Sequence, residues 1–228
     1  MLTICTWLWG NKYGSRDVYQ LKRALDRNLS QRYRFLLITE NYRPISEKTL
    51  PGVERFNILD IKLLSIPGCF ARLRMFDPKW QEQLRIDDRL VCLDLDTIIT
   101  RNVDPLFDRP ENFVILAGAN SVNPCPFNGS VMMLRPGYHE DVLTDWTFEK
   151  AKAVPYHEFP DDQGWLAYKI PEAATWQVGS PSGIYAFKKP GWTTGDYLPN
   201  DAKIVVFPGR RQPSRYTHLD WVDRHWSN

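Results

Sequence analysis

The feature that most constrains this chain is the run Arg89-Leu90-Val91-Cys92-Leu93 ending in Asp94-Leu95-Asp96. A short apolar run bounded by charge reads as a buried strand. Two carboxylates two residues apart at its exit make a hard, oxygen-rich site. That chemistry suits Mg²⁺ or Mn²⁺, ions normally shared with phosphate oxygens. In open α/β sheets, ligands sit just beyond the carboxyl ends of the strands. Position and chemistry agree on a metal–diphosphate site. Asp-x-Asp also occurs in ordinary acidic turns, so the neighbouring segments must carry the rest.

Leu2–Leu8 reads as a first strand, and Trp9-Gly10-Asn11-Lys12-Tyr13-Gly14 as a loop after it. Ser15 is expected to cap a helix whose apolar positions are Val18, Leu21, Leu25 and Leu29. Tyr33–Thr39 is a second strand, and this β-loop-α-β opening implies a parallel sheet with crossover helices. Residues 53–58 read as a weaker strand. Leu73, Phe76, Trp80 and Leu84 lie at helical intervals over 70–84, interrupted by Pro78. Phe113–Ala117 and 128–134 are further strands, 138–153 a helix and 162–168 a short one. Beyond Pro171 the chain is rich in Gly, Pro and Trp, and only 203–207 reads clearly as a strand. With no repeat, low-complexity segment or linker, the 228 residues are expected to form one α/β domain with an irregular C-terminal third.

A net charge of +2 without a basic stripe gives no nucleic-acid surface. No apolar stretch approaches the about 20 residues that span a bilayer. The N-terminus lacks the basic region and cleavage site of a signal peptide. Cys5, Cys69, Cys92 and Cys125 form no Cys-x-x-Cys pair and are expected to be reduced, mostly buried thiols of a cytoplasmic protein. His139, His157, His218 and His225 form no zinc pattern.

Several segments are candidates for chemistry. Glycines in the 9–14 loop let backbone approach a ligand, and Tyr13 can stack on a base; an ordinary βα turn is the alternative. The loop is neither Gly-x-Gly-x-x-Gly nor Gly-Lys-Ser/Thr, so neither a dinucleotide fingerprint nor a P-loop is supported. Arg72 can neutralise a diphosphate, but spacing does not settle which face it takes; Arg74 reads as a solvated cation. Asn128-Gly129-Ser130 opens a strand with polar groups suited to sugar hydroxyls, or is a plain turn. Asp161 suits a helix N-cap, which puts Asp162 and Gln163 in the first turn, able to face a cleft. Gly209, Arg210 and Arg211 follow the last strand, either to close over phosphates or as an exposed basic turn.

Taken in order, these segments resemble the retaining nucleotide-sugar transferases of the glycosyltransferase family 8 type, with the GT-A fold. The resemblance rests on the first strand with its 9–14 loop, Phe70-Ala71-Arg72-Leu73, Val91 to Thr97, Phe127 to Leu134, Asp162-Gln163 and Val206-Phe207-Pro208-Gly209-Arg210. It implies a Rossmann-like, mostly parallel sheet flanked by helices, with residues 1–100 as the nucleotide-binding half and 101–228 as the acceptor and sugar half. Asp94 and Asp96 would hold Mn²⁺ or Mg²⁺ against the diphosphate of a UDP-sugar, with Leu95 between them; contact of Asp94 with the ribose or sugar is the alternative. The Trp9–Tyr13 loop would surround the uracil, with Trp9, Tyr13 and the adjoining Gly14 as donor-binding residues. Arg72 would meet the diphosphate or donor sugar, Asn128 and Gly129 would line the sugar pocket, and Gly209 and Arg210 would meet the phosphates. Asp162 and Gln163 would sit beside the anomeric carbon, Asp162 as a nucleophile or Gln163 as a stabiliser of an oxocarbenium-like state. The acceptor would be a carbohydrate or a lipid-linked hydroxyl, with peripheral membrane contact compatible.

The chain departs from the family pattern in one place. A metal-binding His is expected just before the Phe-x-Gly turn, and this chain has Val206. The third ligand is then missing, supplied from elsewhere, with His218 nearest downstream, or replaced by water. The Lys expected after the turn is shifted or lost, with Arg210, Arg211 and Gln212 in its neighbourhood. Val206 keeps open a nucleotide-sugar or glycan-binding module without turnover. A haloacid-dehalogenase-like phosphatase needs a Thr where Ile98 stands, and a sugar nucleotidyltransferase needs a Gly-rich basic loop that is not evident.

Overall fold

A computed structural model describes residues 1–40, 50–58, 61–120, 124–156, 158 and 160–227. His157 and Phe159 lie outside the described residues. Among these described residues, ten strands form two sheets. They are β1 (Leu2–Leu8), β2 (Tyr33–Thr39), β3 (Glu54–Asn57), β4 (Leu90–Leu93), β5 (Thr97–Ile99), β6 (Phe113–Ala117), β7 (Phe127–Leu134), β8 (Ala174–Gln177), β9 (Ile184–Ala186) and β10 (Ile204–Val206). The large sheet has the order β3-β2-β1-β4-β7-β6-β8. Only β7 runs against the other strands of this sheet. The small sheet is β5-β10-β9. This is the expected mixed, mostly parallel α/β architecture.

Side-chain alternation explains why the sheet is covered on both faces. In β4, Leu90 and Cys92 pack into one core while Val91 and Leu93 pack into the other. The same split holds for Met132 and Leu134 against Val131 and Met133 of β7. The helix α1 (Ser15–Asn28) covers one face through Val18, Leu21 and Leu25. The other face is covered by a 3₁₀ helix (Phe70–Phe76) and by short α-helices around it. A third cluster, built on Phe187, Phe207, Trp221 and Trp226, holds the C-terminal third together.

Four local features differ from expectation, each for a visible reason. Gly14, not Ser15, is the N-cap of α1; its amide donates to Asp17 Oδ2 at 2.8 Å, which leaves Ser15 as the first helical residue. The 70–84 segment splits at Asp77, which ends the 3₁₀ helix and caps α3 (Pro78–Gln83) by accepting from the Lys79 amide. Here α2 (Ile61–Ser65) precedes the 3₁₀ helix, and α4 (Asp104–Phe107) follows β5. The helix expected over 138–153 is two pieces, α5 (Asp141–Thr144) and α6 (Phe148–Ala153). His139 has φ +53°, outside helical geometry, and Thr147 starts α6 afresh by accepting from the Lys150 amide. In the C-terminal third, β8 and β9 are strands that the irregular composition concealed. The helix α7 (Asp162–Lys169) matches the short helix expected there, and α8 (Asp220–Val222) lies near the C-terminus.

Two backbone features deliver residues to the sheet's open end. The pairing of β6 with β7 jumps from Ile115↔Met132 to Leu116↔Asn128, so residues 129–131 make no ladder with β6. Gly68 has φ +107° and lies against the segment before α7, its carbonyl accepting from the Asp162 amide at 2.8 Å. A Cβ there would sit 2.4 Å from Pro160 O and 2.9 Å from Asp161 Cα. Gly68→Ala is therefore expected to lower stability by about 1–3 kcal/mol through backbone strain and overpacking. A urea midpoint equal to that of the parent protein would show that the two segments are not locked in this way.

Candidate active site

The parallel strands β1 and β4 end at the same edge of the sheet, where β7 begins. Asp94 and Asp96 stand at the exit of β4 and divide that edge into two adjoining cavities. One, about 210 Å³, is flanked by Trp7, Trp9 and Tyr13. The other, about 440 Å³, is polar, with Asn120, Asn128, Gly129, Asp162, Gln163 and Lys189 in its wall. Lys12, Cys69, Arg72, Asp94 and Asp96 belong to both. Leu95 lines the aromatic cavity although its residue is almost wholly buried.

Arg72 settles the face that spacing left open: it points inward and is 5% exposed. Its Nε and Nη2 donate to Asp162 Oδ2 and Oδ1 at 2.7 and 2.9 Å. Its Nη1 donates to Asp94 Oδ1 at 2.7 Å and to the Gly129 carbonyl at 2.8 Å. Against the cost of burial, Asp162 and Asp94 hold the guanidinium charged, well above its ordinary pKa. Burial pushes the Asp162 carboxyl up while Arg72 pulls it down; the bidentate geometry keeps this pair ionised. Gly129 has to lack a side chain, because a Cβ there would lie 2.3 Å from Arg72 Nη2. Arg74 pairs with Asp77 at 3.1 Å rather than standing in solvent alone.

Asp96 is 4% exposed and held differently. Its Oδ2 accepts from the Tyr13 hydroxyl and lies 3.3 Å from Lys12 Nζ. Its Oδ1 is buried and has no hydrogen-bond partner among the described residues. Burial, then the Asp94 charge, push the Asp96 carboxyl up to about 6, with Lys12 and Tyr13 pulling it back. Burial and Asp96 drive the Tyr13 phenol upward, so it remains a protonated donor. The Lys12 ammonium also donates to the Gly209 carbonyl at 3.0 Å, and Gln212 Nε2 donates to the Lys12 carbonyl at 3.0 Å. The loop after β1 is thereby fastened to the turn after β10.

The other expected residues fall as follows. Asp161 is the N-cap of α7, accepting from the Gly164 amide at 2.8 Å. Gln163 Oε1 accepts from the Gly129 amide at 3.1 Å. Asn128 donates to Asn120 Oδ1 at 3.3 Å and accepts from the Ser130 amide. Gly209 lines the cleft, whereas Arg210 is exposed and outside its wall. Gly14 serves as the α1 cap beside Tyr13. Cys5, Cys92 and Cys125 are buried, while Cys69 is exposed at the cleft. Sequence reading places Lys12 only as part of the loop expected around the uracil, and assigns no role to Asn120 or Lys189. Asn120 lies just past the exit of β6, where the strand-end rule could have found it; nothing marks Lys189.

The donor set does not fit a divalent ion in the family's manner. Val206 is fully buried in β10 beside Thr97, packed with apolar side chains. His218 is exposed against Tyr216 and does not line the cleft. One oxygen of Asp96 is sealed from solvent and the other already carries two donors, while Arg72 takes one oxygen of Asp94. Among the described residues, no three His, Cys, Asp or Glu side chains gather as a metal site. No helix among them is long and apolar enough to cross a membrane.

No protein-family model matches the sequence, and no curated protein matches it significantly. Solved structures do match. The galactosyltransferase LgtC, in complex with donor and acceptor sugar analogs, superposes with a TM-score of 0.60 at 13% identity over 98% of this chain and 96% of LgtC. The bifunctional glycosyltransferase WbbM gives 0.67 at 13% identity, over all of this chain and 50% of WbbM. The glycosyltransferase GlyE of Streptococcus pneumoniae TIGR4 gives 0.65 at 14% identity, over 99% of this chain and 61% of GlyE. The chain thus has the GT-A-type fold of these glycosyltransferases, as the resemblance implied.

Two outcomes are expected from the buried charges. Arg72→Ala leaves Asp162 ionised and unpaired in the interior, costing about 3–5 kcal/mol of stability, measurable by urea denaturation; a loss below 1 kcal/mol, roughly an exposed pair's worth, would contradict the clamp. Burial and Asp162 push the Asp161 carboxyl up to about 7, above its unfolded value. Its ionisation therefore opposes folding, a penalty absent below about pH 4 and complete above about pH 7. Asn caps a helix as well as Asp, so Asp161→Asn should gain stability over the parent at about pH 8 relative to about pH 5. An offset independent of pH would refute this.

Proposed function

We propose that this chain is a glycosyltransferase that moves a sugar from a nucleotide-diphosphate donor, a UDP-sugar, to a hydroxyl of a carbohydrate or lipid-linked acceptor. The observation that carries this reading is the partition of the cleft by Asp94 and Asp96. An aromatic cavity suited to a base lies on one side and an amide- and carboxylate-lined cavity suited to a sugar on the other. A diphosphate has the length to join the two past Lys12, the partly exposed cation of the shared wall. The aromatic cavity draws only on residues of the 1–100 half, while the polar one recruits Asn120, Asn128, Gln163, Lys189 and Gly209 from the 101–228 half.

Cleaving a sugar–diphosphate bond builds negative charge on the leaving group and positive charge on the sugar. Both Asp162 oxygens are held by Arg72, so we assign Asp162 to positioning rather than to nucleophilic attack. Gln163, fixed by the Gly129 amide, has its side chain at the polar cavity, where it can face the oxocarbenium-like carbon. Retention then follows from acceptor attack on the face the leaving group departs from. The related galactosyltransferase LgtC has been solved as an active-site mutant in which a Gln becomes Glu, consistent with a role for an amide at such a site.

The test is nucleoside diphosphate release from a panel of UDP-sugars. The parent protein should hydrolyse at least one slowly, and Asp94→Asn, which weakens the Arg72 clamp at the cleft, should lower that rate by about 10²-fold. Equal rates for parent and variant would remove Asp94 from the reaction. Binding of a UDP-sugar with no release by the parent would point instead to a binding module.

A further inference from the structure

We infer that Lys12 supplies, as a tethered ammonium, the positive charge on the donor diphosphate that a divalent ion would otherwise provide, so that donor binding by this chain is metal-independent. The inference rests on the nucleotide-diphosphate reading above and concerns the same cleft. Its ground is the disagreement between the family's metal site and the residues present. The position where the pattern calls for a ligand carries the buried apolar side chain of Val206. The Lys12 ammonium meanwhile bridges the two structures that such an ion would link, the acidic exit of β4 and the turn after β10. It lies 3.3 Å from Asp96 Oδ2 and 3.0 Å from the Gly209 carbonyl.

The bridge is built rather than incidental. Gln212 holds the Lys12 backbone, and the ammonium lies 4.7 Å over the Tyr13 ring, whose hydroxyl bonds the same Asp96 oxygen. An ammonium has three N–H donors, and Asp96 and Gly209 take two. Among the described residues no acceptor takes the third, which can meet a phosphate oxygen, and the Lys12 side chain is 44% exposed where the two cavities meet. A fixed cation there favours a polyanion on the cleft side and costs no reorganisation when it binds. Asp96 is then a counter-ion that holds Lys12 in place, rather than a metal ligand.

The experiment is calorimetric titration of the full chain with UDP, GDP and inorganic pyrophosphate, in EDTA and then with Mn²⁺ or Mg²⁺. At least one diphosphate should bind in EDTA, with affinity changed less than about twofold by either ion. Lys12→Ala should weaken that binding at least about tenfold, and Lys12→Arg should restore most of it. Lys12→Ala also strips the buried Asp96 carboxylate of its cation, so its melting temperature should fall while that of Lys12→Arg stays near the parent's; the binding of the Arg variant separates loss of charge from loss of fold. The inference is overturned if the parent protein needs metal for tight binding, or if Lys12→Ala binds as the parent does. If no diphosphate binds with or without metal, the donor reading fails and this inference falls with it.

Discussion

The Arg72 guanidinium, buried among Asp94, Asp162 and the Gly129 carbonyl, is the contact on which the cleft depends. A charge so placed is tolerable only because two carboxylates and a carbonyl replace the water it has lost. It ties the exit of β4, the start of β7 and the first turn of α7 to the 3₁₀ helix. These elements come from distant parts of the chain, and no hydrophobic contact alone would set their edge to within a fraction of an ångström. Gly68 serves the same end from the backbone side, letting the segment before α7 lie flush against the entry to the 3₁₀ helix.

Around this clamp the electrostatics divide unevenly. Four of the five Arg72 N–H donors go to protein groups and two carboxylates balance its charge, which makes it a weaker direct partner for a donor phosphate than Lys12. Lys12 reaches the same wall from the other side, partly exposed and with donor capacity remaining. The two cations thus do different work: one organises the carboxylates, the other faces the ligand. Tyr13, kept protonated by its burial beside Asp96, completes the second arrangement.

The central strands were legible in the sequence because their physics is local. The alternating faces of β4 and β7 and the apolar spacing of α1 stand in contiguous residues, and so does the acidic exit at Asp94 and Asp96. What was not legible depends on partners far along the chain. The inward turn of Arg72 is decided by Asp162, ninety residues away. Lys12 looks like any loop lysine until the turn after β10 arrives beside it. β8 and β9 are short and of unremarkable pattern, and their pairing with β6 and β10 makes them strands. Within 138–153, one helical stripe concealed the restart that Thr147 imposes on the backbone.

The contact between Gly129 and Arg72 also limits how this sequence can drift. A side chain at 129 would need the space that the guanidinium fills, so position 129 can leave glycine only if position 72 shortens first. Shortening 72 strands the charge at 162, which must then become neutral as well. The three positions are therefore coupled, and a change at one alters the cost of a change at the others.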